Sequence, residues 1–122
     1  MIHFLLLISR HGKIRVSKWF TNYSTRERTQ MQKEVKGLVI GRLSKLCNFL
    51  EWRDQILVFK RYASLYFAVG IDKDDNELIA LETIHFYVET LDRYFGNVCE
   101  LDIIFNFHKA YYLLDEILLA GH

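Results

Sequence analysis

Leu57-Val58-Phe59-Lys60-Arg61-Tyr62-Ala63-Ser64-Leu65-Tyr66-Phe67 sets two apolar runs on either side of a basic pair. Branched and aromatic side chains at this density fit a pleated, half-buried surface. They predict strands over residues 56–62 and 65–71, joined as a hairpin, with a shorter strand over 49–52 before them. Working back to the start, residues 2–8 are nearly all apolar and end at Arg10-His11-Gly12-Lys13, where glycine can take positive φ. That reads as a buried strand entering a second hairpin. Residues 14–20 alternate, which predicts Ile14, Val16 and Phe20 on one face of a half-exposed strand and Arg15, Ser17 and Trp19 on the other.

Helices separate and follow these strands. Ser24-Thr25-Arg26-Glu27 has the form of a capping box, and Met31, Val35, Leu38 and Val39 then make one apolar stripe that should stop near Gly41. The polar turn Asp72-Lys73-Asp74-Asp75-Asn76 leads into a long helix with a stripe of Leu81, Ile84, Val88, Leu91 and Phe95. Asn106 is placed to cap a final helix carrying Phe107, Ala110, Tyr111, Leu114 and Leu118. The order ββαβββαα predicts an α+β fold: an antiparallel sheet of about five strands with helices on both faces, since both sheet faces need covering.

With 122 residues, 51% of them hydrophobic, the chain is expected to be a single domain over residues 1–122 with a substantial core. Its longest apolar run, residues 4–8, is far short of the roughly 20 residues of a membrane span or the roughly 7 of a signal-peptide core. A soluble, cytosolic chain is therefore expected, with Cys47 and Cys99 as buried thiols. The net charge of +1 conceals an asymmetry. Residues 1–45 hold ten Lys/Arg against Glu27 and Glu34, whereas the remainder holds six against thirteen acidic residues. Such a split favours oriented docking against charged partners.

Chemistry-bearing constellations are sparse. Asp72, Asp74 and Asn76 begin like a calcium loop, but the sixth position is Glu77 where glycine is needed and the twelfth is Thr83 where a bidentate glutamate is needed. The histidines at 3, 11, 85, 108 and 122 offer no i, i+4 metal face, no serine sits in a G-x-S-x-G elbow, and the glycines form no phosphate loop. No metal, cofactor or catalytic residue is expected, and the chain is not read as an enzyme. The basic residues of the first helix are spread around its exposed side, so nucleic acid is not an expected partner.

The residue order of 57–67 resembles the signature of the small (sigma) chains of clathrin adaptor complexes. Gly96-Asn97-Val98-Cys99-Glu100-Leu101-Asp102-Ile103-Ile104-Phe105-Asn106-Phe107 and Asn48-Phe49-Leu50-Glu51-Trp52-Arg53 match two further motifs of that family in the family's order. The resemblance implies a longin-like α-β-α sandwich, the architecture the pattern predicts. It implies partnership with an adaptor large subunit of the gamma or alpha class and, through it, with the medium and second large subunits. Recognition of acidic dileucine signals in cytoplasmic tails of membrane cargo is implied as well, with clathrin and membrane engaged indirectly. Matching family positions place Ala63, Leu65, Phe67, Val88, Val98, Leu101 and Ile103 in the leucine pocket, Tyr62 and Asn97 at its edge, and Arg15 near the signal's acidic residue. Alternation along the strand independently puts Ala63, Leu65 and Phe67 on one face.

Residues 47–54 look more like the type-1 complex of the trans-Golgi network and endosomes than the plasma-membrane type-2 complex. Family members continue past the position of His122 with a further helical segment, so the resemblance implies that this chain lacks that extension. The competing reading is a longin-type scaffold without a cargo site, for which Leu65, Val88 and Leu101 would simply touch one another in the core.

Overall fold

The computed structural model describes residues 2–41, 49–62, 65–96 and 107–119. Their elements are β1 (Ile2–Ser9), β2 (Ile14–Trp19), α1 (Thr25–Gly41), β3 (Phe49–Trp52), β4 (Gln55–Tyr62), β5 (Leu65–Asp72), α2 (Glu77–Phe95) and α3 (Phe107–Leu119). The strands form one antiparallel sheet in the order β2-β1-β5-β4-β3. This is the expected α-β-α sandwich, with α1 on one face and α2 and α3 on the other.

The apolar run in β1 follows from its position inside the sheet, where both faces are covered. Leu5 and Leu7 join Phe67, Val69 and Ile71 of β5 beneath α2 and α3. Phe4, Leu6 and Ile8 join Tyr66, Ala68 and the α1 residues Met31, Val35 and Val39 on the opposite side. The predicted stripe of α2 holds at Ile84, Val88 and Leu91, and the buried face widens to include Ala80, Thr83 and Tyr87. In α3 the buried residues are Ala110, Leu114 and Ile117, and Tyr111 packs against them. The capping box forms as read: Ser24 Oγ accepts from the Glu27 amide at 3.1 Å, and Glu27 Oε1 accepts from the Ser24 amide at 3.4 Å. The Asn106 cap and both cysteines lie outside the described residues.

One expectation is corrected. Leu7 pairs with Val16 but Ile8 pairs with Ile14, so Arg15 is an extra residue in β2, a β-bulge. The inserted residue resets the alternation. Val16 and Phe20 share a face as predicted, the one towards α2 and α3, whereas Ile14 packs with Trp19 on the α1 side. A reading in strict twos cannot see that shift.

On the α1 side the β3–β4 hairpin is held by Glu34. Its carboxylate accepts from Arg53 Nε and Nη2 at 3.1 and 2.8 Å, from Trp52 Nε1 at 3.0 Å and from Gln30 Nε2 at 3.1 Å. The Arg53 hydrogen bond is the main reason that the Glu34 carboxyl titrates near about 2, below its ordinary 4.5. A depressed carboxyl stabilises the fold fully above its unfolded pKa, and that contribution disappears as pH falls from about 4.5 towards 2. Because the pair is partly exposed to screening solvent, the expected contribution is about 1 kcal/mol. Urea unfolding of wild type and Glu34→Gln should differ by that amount at neutral pH and converge at the acid end of the window. A gap independent of pH would show that the charge is not what matters.

Candidate functional site

The end of the sheet where β4 turns into β5 brings together most of the described residues singled out above. Tyr62, the last residue of β4, pairs with Leu65, the first of β5. Leu65 and Phe67 point from β5 into the α2 side, where Val88 meets the same cluster and Tyr62 packs against it. Leu65 and Phe67 are fully enclosed and Val88 is 7% exposed. Phe67 meets Tyr87 edge to face, with centroids 5.9 Å apart, and the Tyr87 hydroxyl donates to the Ala110 carbonyl at 2.9 Å, tying α2 to α3. Burial holds the Tyr87 phenol well above its usual range, so it stays neutral.

Asp92 is a residue that sequence reasoning did not assign. It lies one helical turn after Val88 on α2, and its carboxylate accepts a hydrogen bond from the Tyr62 hydroxyl. That bond is the main cause of a raised Tyr62 phenol pKa. The signal was present in the i, i+4 spacing from Val88, but nothing in the sequence pairs an acid on α2 with a tyrosine in β4.

Arg15 sits at the same end, on the other side of β1. Ile8 pairs with Ile14 on one side and Tyr66 on the other, and Ser9 pairs with Leu65. The bulge is therefore level with Leu65–Phe67, two strand spacings or roughly 10 Å away. Arg15 is half-buried. Ala63, Asn97, Val98, Leu101 and Ile103 lie outside the described residues. The structure thus gathers Tyr62, Leu65, Phe67 and Val88 in one cluster and sets Arg15 apart from them.

Other concavities of the described residues lie away from that cluster, one of them against α1 beside Glu34, Leu38 and Trp52. A cleft of about 340 Å³ opens at the start of α2, lined by Ile2, Ile71, Ile79, Ala80 and Thr83 among others. A groove of about 290 Å³ runs between Lys60 of β4 and Leu78, Leu81, Glu82 and His85 of α2. Asn76, in the calcium-like turn, caps α2 by accepting from the Leu78 amide at 2.9 Å, while Asp72 hydrogen-bonds His3. Among the described residues no three metal-ligating side chains come together, and no helix is long and apolar enough to cross a membrane.

The layered five-stranded sheet, with the motif hairpin supplying two of its strands, sets the class of the chain as an α-β-α sandwich. The chain belongs to the clathrin adaptor complex small-chain family, whose profile matches residues 1–122. It is 62% identical over 121 residues to AP-1 complex subunit sigma-2 of Arabidopsis thaliana, an alignment covering 99% of this chain and 75% of the relative. It is 59% identical over 121 residues to AP-1 complex subunit sigma-1A of Homo sapiens, covering 99% of this chain and 77% of that one. The fold superposes with a TM-score of 0.83 on a chain from a homology model of the full-length AP-3 complex, at 30% identity, covering 99% of this chain and 83% of that chain. The type-1 character expected from residues 47–54 agrees with these AP-1 relatives.

Proposed function

We propose that this small chain works within a heterotetrameric adaptor of the type-1 class, stabilising its core through a large subunit and recognising acidic dileucine signals in the tails of membrane cargo. It then acts in the cytoplasm, peripherally on trans-Golgi and endosomal membranes and on clathrin-coated vesicles, without catalysis or a cofactor. The observation that carries the reading is the shared level of Arg15 and Leu65–Phe67 at one sheet end. An acidic residue four positions before the first leucine lies roughly 13 Å from it in an extended peptide, a span comparable to the distance from the bulge to β5 once side-chain reach is added. Two branched side chains buried at about 1.5–3 kcal/mol each supply most of a weak peptide affinity. A cation at the far end then sets register and signal choice.

The enclosure of Leu65 and Phe67 favours the second reading, a scaffold whose pocket residues are core. Binding of an acidic dileucine peptide to the chain co-expressed with an adaptor large subunit separates the two. Saturable binding, weakened by Arg15→Ser and abolished by Val88→Asp, is the expected result. Because Val88 is packed in the core, the Arg15 variant is decisive where Val88→Asp lowers the melting temperature of the complex. A folded wild-type complex that takes up no peptide makes the chain a scaffold.

A further inference from the structure

The sheet is electrically polarised along its strands. At one end lie the β1–β2 turn with Arg10, His11 and Lys13, all exposed, and the exposed Lys60 and Arg61 at the end of β4. Residues 9–15 and 60–62 contain no acidic side chain, and the acids that α2 brings near them are Asp92, hydrogen-bonded by Tyr62, and Glu82, in the groove beside Lys60. At the opposite end the β3–β4 and β5–α2 connections carry Asp54, Asp72, Asp74, Asp75 and Glu77. The cations of the β1–β2 turn and of the end of β4 thus gather at one end of the sheet, while acidic residues predominate at the other, where Arg53 and Lys73 also lie.

The cationic turn is rigidly held. Ser9, fully buried, accepts from the amides of His11 and Lys13 through Oγ at 3.3 and 3.1 Å. Its own amide donates to the Lys13 carbonyl at 2.8 Å, and its carbonyl accepts from Gly12 at 2.9 Å. Gly12 takes φ 88, a conformation that suits glycine, and a Cβ there would stand 3.5 Å from Ile40 of α1. Fixing the backbone in advance lowers the entropy lost when these side chains meet a partner.

We propose that this end of the sheet docks on a membrane surface of anionic lipid headgroups. The cations are spread from the β1–β2 turn across to β4, on the order of 14 Å at the sheet spacing, and do not converge on a point. That distribution fits a flat charged surface better than a single small anion. The turn also offers only Arg, His, Gly and Lys, without the apolar or aromatic anchor that the centre of a protein interface normally needs. Juxtamembrane cations each strengthen attachment to an anionic leaflet, and the attraction fades within a Debye length. Docking this end down brings Arg15 and the adjoining ends of β4 and β5 towards the membrane, a consequence that does not depend on cargo binding.

The test is sedimentation of the 122-residue chain with phosphatidylcholine vesicles, with and without phosphatidylserine. Binding is expected only with phosphatidylserine and should weaken with salt. Arg10→Gln combined with Lys13→Gln should lower the partition coefficient by about 25-fold, about fivefold for each cation. Arg26→Gln combined with Lys73→Gln removes the same charge from exposed positions at the acidic end and should leave binding nearly intact. Equal losses in the two double variants, or equal binding to uncharged vesicles, overturns the proposal, as does absence of binding at low salt. If the turn variant keeps vesicle binding but loses an acidic dileucine peptide, the turn serves the signal and not the membrane.

Discussion

Phe67→Ala is expected to destabilise the fold by about 4 kcal/mol, the range seen when a fully enclosed phenylalanine is truncated. Phe67 has no exposed surface, stands in the central strand β5 and packs edge to face on Tyr87. Its neighbours come from two layers, so neither can collapse into the void without disturbing the other. Chemical unfolding should show the loss in the midpoint without a change in slope. Since domains of this kind hold only about 5–15 kcal/mol in total, the variant should be near the edge of folding at body temperature. A cost below about 1.5 kcal/mol would mean that this side chain contributes little packing, and would favour its assignment to an open pocket.

Gly70→Ala should cost about 3 kcal/mol for the opposite reason. A Cβ at position 70 would fall 2.3 Å from Phe4 Cε1 and 2.6 Å from Gln55 Oε1. The Phe4 ring has little room to retreat, because it is held against Trp19 at 5.3 Å and edge-on to Trp52 at 5.8 Å. Gln55 is tied through Nε2 to the Tyr23 hydroxyl at 2.8 Å. Adding one methyl to such a site forces strained rotamers or a backbone shift. Thermal denaturation should register a fall on the order of 10 °C. An unchanged melting temperature would show that the aromatic cluster on the α1 side is loosely packed.

Much of this architecture was legible because strands and helices write different periods into a sequence. The β4–β5 hairpin, the capping box at Ser24 and the nearly all-apolar β1 follow from local composition, and each occurs where the pattern put it. The face of Ile14 was not legible, because an inserted residue in a strand leaves no mark on composition and is visible only in the pairing of β1 with β2. Tyr62 and Val88 were named as neighbours only through family resemblance. That they share a cluster depends on the path of α2 across the sheet, a tertiary fact that no local period encodes. The bond from Tyr62 to Asp92 was missed for the same reason.

The centre of the sheet joins the first strand to the fifth. The β1–β2 hairpin and the β3-β4-β5 meander can each form from neighbouring residues, but β1 finds β5 only after most of the chain has been made. That union must close a long loop, which makes it slow and late relative to the hairpins. Until it happens, Phe4–Ile8 and Leu65–Ile71, both buried in the finished fold, remain uncovered and open to mispairing. Arg15 reaches the level of Leu65 only through that final seam, so any role that needs both must wait for it, and a nascent chain cannot hold half a site.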